Sequence, residues 1–162
     1  MIPADSHSTD PQTLVSALDS ELSTLVQVLD MLDIEHEALL GTDPERLEQA
    51  VVAKQNAIAA HLKSRSHRES LGLRDSLREQ LEAHPTLVNG LRERALDLVT
   101  ELSDLALQSK NMNARNGKLI AGLKERTNTS LKVLRPEAAS ITLYGDSGSA
   151  ENTMGSRLLG SA

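Results

Sequence analysis

A stripe of residues spaced alternately three and four apart constrains this chain more than any other feature. The stripe runs without a slip, and its members are Val15, Leu18, Leu22, Leu25, Leu29, Leu32, His36 and Leu39. Such spacing is typical of an α-helix that packs along a coiled-coil-like seam. Asp10-Pro11 predicts the start of this helix, because Asp favours the N-cap and Pro the first helical position. Gly41 predicts its end.

Three further helical segments are predicted. The second begins with the same Asp-Pro pair at Asp43-Pro44, ends near Ser66, and carries on one face Leu47, Val51, Ile58 and Leu62. A short third helix is predicted over residues 71–83 and a long last helix over 86–134, which Pro136 terminates. The predicted fold is all-α, an elongated antiparallel bundle of three to four helices with a long last helix and a flexible C-terminal tail.

The chain is predicted to form one domain with flexible ends. Residues 1–10 form a flexible N-terminus, 11–135 the helical bundle, and 136–162 a flexible tail rich in Gly and Ser. The opening MIPADSHSTD has neither a basic nor an apolar segment, so no secretory signal is expected. No apolar run is long enough to predict a membrane span.

Composition and motifs argue against an enzyme. The chain has no Cys, which excludes disulfides, a thiol nucleophile and a zinc–thiolate site, and it has no glycine-rich phosphate-binding motif. Asp33-x-x-His36 resembles one half of a di-iron site, but no second unit accompanies it, so no metal is expected. The surroundings of His36 also match the histidine phosphotransfer motif poorly. We therefore predict no catalytic residue and no cofactor.

Charge is distributed unevenly along the chain. Residues 1–40 contain eight Asp or Glu and no Lys or Arg, whereas residues 110–135 contain seven Lys or Arg and one acid, Glu125. A basic segment raises the possibility of nucleic-acid binding. The net charge of −6 and the lack of an aromatic side chain in this segment argue against it.

The stretch from Lys110 to Ile120 combines three Asn with a Gly, which opposes helix formation. Two interpretations stay open. Asn116 is either a polar seam position that fixes the register of the bundle, or part of a weak segment whose downstream face binds another helix. That downstream face consists of Leu119, Ile120, Leu123, Leu131 and Leu134.

The C-terminal half contains three motifs, Asn113-x-x-Asn116-Gly117-x-Leu119-Ile120, Leu131-x-x-Leu134-x-Pro136 and Thr142-Leu143-Tyr144-Gly145-x-x-Gly148. Together they resemble the C-terminal half of FlgN-type flagellar export chaperones. The acidic first helix, the Gly-Thr-Asp turn, the central Lys54 of the second helix and the long last helix agree with the same family. Two departures are the absence of an aromatic residue before the Asn-rich segment and the weak pattern after Gly148.

The resemblance implies a cytoplasmic chaperone that binds the C-terminal helical segments of hook-filament junction proteins and prevents their premature assembly. It also implies delivery of these clients to the flagellar type III export gate, with the membrane subunit of that gate and the export ATPase complex as further partners. The implied client-binding residues are Asn116, Gly117, Leu119, Ile120, Leu123, Thr127, Leu131 and Leu134. The implied gate-docking residues are Leu143, Tyr144 and Gly145, of which Tyr144 is the only aromatic residue in the chain. The alternative is a structural coiled-coil adaptor with no role in export.

Overall fold

The computed structural model describes residues 10–74, 76–85 and 87–134, with the backbone alone at Asn89. It contains four helices: α1 (Pro11–Leu40), α2 (Pro44–Ser70), α3 (Leu77–Ala83) and α4 (Asn89–Leu134). No strand occurs among the described residues, and the all-α prediction with a long last helix is confirmed. The described residues divide after Glu125 into two compact units, of which the second contains the last turns of α4.

The two Asp-Pro pairs begin α1 and α2 as predicted. Pro11 and Pro44 each lie in the first turn, where a missing N–H is tolerated. The Asp43 carboxylate caps α2 by accepting hydrogen bonds from the backbone N–H groups of Glu45 and Arg46, at 3.0 and 3.3 Å. Asp10 makes no such side-chain bond. The N-terminus of α2 is therefore the more completely capped of the two.

Side-chain pairs define the helix directions in the first unit. Glu35 of α1 contacts Lys54 of α2, and Glu21 contacts Arg68, so the two helices run antiparallel. Asp19 and Asp33 of α1 pair with Arg94 and Arg115 of α4 at 3.2 and 3.6 Å, so α1 and α4 run in the same direction. Successive long helices therefore alternate in direction, as an antiparallel bundle requires.

α1 is buried along two stripes. Most of the predicted seam is buried, whereas Val15, Leu22 and His36 are partly exposed. A second stripe shares Leu18, Leu25 and Leu32 with the seam and adds four further buried residues, Leu14, Glu21, Val28 and Glu35. α1 uses these two stripes to contact both α2 and α4.

The prediction of an apolar face on α2 is wrong for two of its four residues. Leu47 and Val51 are partly buried, but Ile58 and Leu62 are exposed. The residues of α2 that lie against α1 are small or polar, namely Ala50, Lys54, Ala57, His61 and Arg68. The reason is that α1 presents two buried carboxylates to α2, which select charged partners over leucines.

α3 begins later than predicted because α2 continues to Ser70 and the chain then turns. Gly72 has a φ of +95°, a left-handed conformation that glycine adopts at little cost. Leu73 follows in irregular backbone, yet its side chain belongs to the buried core. The apolar residues that suggested a helix from 71 onward thus fill the core from a loop.

Candidate protein-binding surface

Exposed apolar side chains accumulate toward the C-terminus of α4. In the first unit Ile120 and Leu123 are 42% and 40% exposed, and Leu119 is partly buried. In the second unit Leu131 and Leu134 are 53% and 77% exposed. Gly117 and Thr127, the other small members of the predicted client-binding set, are also exposed. α4 is continuous through Gly117, where an added Cβ would meet no atom within 4 Å.

Asn116 differs from the rest of that set because its side chain is fully buried. The Nδ2 group donates hydrogen bonds to the carbonyl oxygen of Leu32 at 2.8 Å and to Oε2 of Glu35 at 3.0 Å. Both Nδ2 hydrogens are therefore used, and Oδ1 accepts a hydrogen bond from the Nδ1–H of His36 at 3.1 Å. The Asn116 amide is directed into the bundle, as the register interpretation predicts.

The Glu35 carboxylate, which accepts a hydrogen bond from Asn116, also pairs with a residue of α2. Lys54 Nζ donates to Glu35 Oε1 at 2.6 Å, and the Glu35 side chain is fully buried while that of Lys54 is 15% exposed. A buried carboxylate is tolerated only when charged or polar partners replace its water. Glu35 thus joins three helices through one side chain. We call Glu35, Lys54 and Asn116 the polar triad.

Three apolar residues downstream of Asn116 lie on the same face of α4 as Asn116 itself. Leu119, Ile120 and Leu123 follow Asn116 at three, four and seven positions, which places all four side chains on one side of α4. Upstream, that side of α4 is core, with Leu98 and Leu102 buried. α1 ends at Leu40, one helical turn beyond His36, which contacts Asn116, so α1 stops covering this side of α4 between Ile120 and Leu123. We call Leu119, Ile120 and Leu123 the client face.

Cationic side chains accompany the apolar ones along the end of α4. Lys118 and Lys124 are exposed in the first unit, and Arg126 and Lys132 are exposed in the second. Glu125 is the one acid between 110 and 134. This composition suits a partner that is apolar on one side and acidic at its margins.

A second buried ion pair lies toward the other end of α1. Arg68 donates to both oxygens of Glu21, one of them at 3.3 Å, and also to the backbone carbonyls of Leu73 and Arg74. Arg68 and Glu21 are both buried. The pair thereby fixes the turn between α2 and α3 to α1.

Sequence reasoning missed the roles of Glu21, Glu35 and Arg68. The signal was present, because Glu21 and Glu35 interrupt the second apolar stripe of α1 at heptad positions. A carboxylate inside a buried stripe requires a charged or polar partner, because burying it alone is costly.

The predicted gate-docking residues Leu143, Tyr144 and Gly145 lie outside the described residues, as does the tail from 136 onward. No helix within the described ranges is both long and apolar enough to cross a membrane.

In a comparison with protein families, the chain matches the FlgN protein family over residues 10–152. Comparisons with curated proteins and with solved structures give no match. The family match covers the four helices and the three C-terminal motifs. The chain therefore belongs to the FlgN family, which is a family of flagellar export chaperones and not of enzymes.

Proposed function

We propose that this protein holds the C-terminal helical segments of hook-filament junction proteins in the cytoplasm and delivers them to the flagellar export gate. Membership of the FlgN family supports a chaperone role with flagellar substrates. The choice of junction proteins as clients rests on the C-terminal motifs. The choice of site rests on the structure of α4.

The exposed apolar stripe at the end of α4 is the observation that carries the proposal. A helix that exposes leucines at spacings of three and four ordinarily packs them against another element. The client face provides such residues in the first unit, and Leu131 and Leu134 provide them in the second. An amphipathic client helix would bury these side chains. Removing their apolar surface from water would stabilise the complex.

The cations beside the stripe would set the orientation and the association rate of a client helix more than its affinity. Lys118 and Lys124 would attract acidic residues at the margin of a client helix and repel a helix of the wrong charge. Because both side chains are exposed, salt would screen this attraction. Client association should therefore slow as ionic strength rises.

Delivery to the gate is assigned to Leu143, Tyr144 and Gly145, by resemblance to the family's docking motif. A tyrosine can anchor in a partner's pocket because its ring buries apolar area and its hydroxyl forms a hydrogen bond. Client capture and gate docking would then use separate parts of the chain.

The client site is tested by Leu123→Glu combined with Leu131→Glu. Calorimetric titration with the C-terminal segment of a junction protein should show binding by the parent and no measurable binding by the double variant. Circular dichroism should show an unchanged helical content, because both leucines are already exposed.

A matched control is Val52→Glu combined with Leu107→Glu. These two residues are apolar and similarly exposed, at 50% and 60%, but they lie on α2 and on the upstream half of α4. The control should bind the client like the parent. Equal client affinity in the folded Leu123→Glu/Leu131→Glu variant would place the site elsewhere in the molecule.

A further inference from the structure

We propose that the client helix completes a core layer that α1 leaves unfinished, by inserting an apolar side chain between Leu47 of α2 and Leu123 of α4. The inference rests on the proposed function and deepens it, because it adds Leu47 and Leu40 to the client site. The occupant it requires is an amphipathic helix whose apolar stripe faces the bundle.

The first unit is organised in layers to which the long helices contribute residues at heptad spacing. The polar triad is one such layer, in which Glu35 of α1 contacts Lys54 of α2 and Asn116 of α4. Two heptads earlier on α1, Glu21 pairs with Arg68, which lies two heptads later on α2. The spacing of layers is therefore seven residues, counted forward on α1 and backward on α2.

One heptad beyond the polar triad the layer is incomplete. By the same count it takes Leu47 from α2 and, because α4 runs in the direction of α1, Leu123 from α4. The α1 position of this layer is Thr42, which is exposed in the turn that follows α1. The chain thus supplies a polar turn residue where the layer requires an apolar side chain of a third helix.

Apolar surface is exposed around this place. Leu123 is 40% exposed and Leu47 is only partly buried, although both continue core positions of their helices. Leu40, the last residue of α1, is 67% exposed and lies one helical turn beyond His36, which contacts Asn116. We call the place bounded by Leu40, Leu47 and Leu123 the end gap.

The end gap fits an apolar side chain better than a charged one. Its walls are leucines, and beneath it Leu39, at 5% exposure, closes the core. Arg46 and Glu37, which flank the gap, pair with each other at 3.3 Å. A client leucine placed there would remove apolar surface of both proteins from water.

A helix is the fitting occupant because α1, a helix, supplies the third member of the layers below. Glu21, Val28 and Glu35 are its buried contributions, seven residues apart. A client helix that continues this series along α4 would also contact Ile120, the neighbouring member of the client face. Continuity with the existing packing of α1 on α4 thus assigns the gap to the client.

Disulfide trapping tests the shared layer, since the chain has no Cys of its own. Leu47→Cys and Leu123→Cys are each mixed with synthetic peptides of the junction-protein C-terminal segment, which carry one Cys in turn at each apolar position. A disulfide forms only when the two Cβ atoms approach to about 4 Å. Both variants should trap the same peptide position. Val52→Cys, on an exposed side of α2, should trap none.

Client affinity gives a second readout that does not depend on the packing of Leu47. Leu40→Glu should raise the Kd for the segment about tenfold or more. Its melting temperature should stay that of the parent, because Leu40 is 67% exposed. Ile34→Glu is the matched control on α1, at 41% exposure, and should bind like the parent.

The outcomes separate this inference from the proposed function. Trapping by Leu123→Cys without trapping by Leu47→Cys, or an unchanged Kd in Leu40→Glu, would overturn the shared layer and leave the proposed client site standing. A disulfide between two Leu47→Cys chains instead of one to the peptide would assign the end gap to a second copy of the chain, and would also overturn the inference. Failure of the parent to bind the segment would overturn the proposed client, and the inference with it.

Discussion

At the scale of single residues, two matched ion pairs connect α1 to α2. Glu21 and Glu35 are separated by fourteen positions on α1, and Lys54 and Arg68 by the same number on α2. Because fourteen residues are two heptads, each set lies on one side of its helix, and antiparallel packing brings both pairs together. A one-sided change in either pair would leave a buried charge without its partner.

Arg68→Met should therefore destabilise the fold by about 3–5 kcal/mol, since Glu21 would remain buried and uncompensated. Chemical denaturation followed by circular dichroism measures this loss. Arg65→Met is the matched control on the same helix. Arg65 pairs with Glu69 at 2.8 Å near the surface, where its hydrogen bond lowers the pKa of Glu69.

The control should change the free energy of unfolding by less than about 1 kcal/mol, because water screens an exposed pair. Equal losses from Arg65→Met and Arg68→Met would show that burial of the Glu21 pair contributes nothing.

At the scale of elements, α1 organises the first unit because it is buried on two sides. Its leucines contact α4, whereas the helix that follows it, α2, supplies alanines and charged groups. The apolar core is consequently shared between α1, α4 and the α2–α4 connection, which contributes Leu73, Leu81 and Leu87. Stability should depend more on α1 than on α2.

Leu25→Asp should lower the free energy of unfolding by about 3–5 kcal/mol, because it places a carboxylate in the core without a partner. Leu25 is 5% exposed and its neighbour Val26 is 41% exposed. Val26→Asp introduces the same residue into the same helix and should cost less than about 1 kcal/mol. If the two variants melt at the same temperature, the assigned core of α1 is wrong.

At the scale of the whole molecule, α4 belongs to the core in its first half and exposes apolar residues in its second. The proposed functions follow that division. Along α4, the packing residues precede Asn116 and the proposed client contacts follow it. The proposed docking motif comes after the end of α4 in the sequence. Changes in the tail should therefore affect export without affecting folding.

Tyr144→Ala should keep the melting temperature and client affinity of the parent but weaken binding to the export gate by about 2 kcal/mol or more. Binding to the purified gate subunit and secretion of junction proteins measure this effect. Tyr144→Phe keeps the ring, so its intermediate affinity would report the share of the hydroxyl. A large fall in melting temperature with gate binding intact would identify Tyr144 as a packing residue instead.

Local signals in the sequence determined the helices. The stripe from Val15 to Leu39, the two Asp-Pro starts and Gly41 each act within a few residues, so α1 and the start of α2 were predicted correctly. The long last helix was predicted correctly for the same reason, because its signals also act within a few residues. Its family motifs were also readable from the chain alone.

Tertiary structure alone decided which polar groups are buried and which leucines are not. Ile58 and Leu62 have a helical spacing as regular as that of Leu25 and Leu29, yet they are exposed, because two carboxylates of α1 select polar partners on α2. The interpretation of Asn116 stayed open for the same reason. Its amide is satisfied by groups more than eighty positions away along the chain, and only the packing of α4 against α1 brings them together.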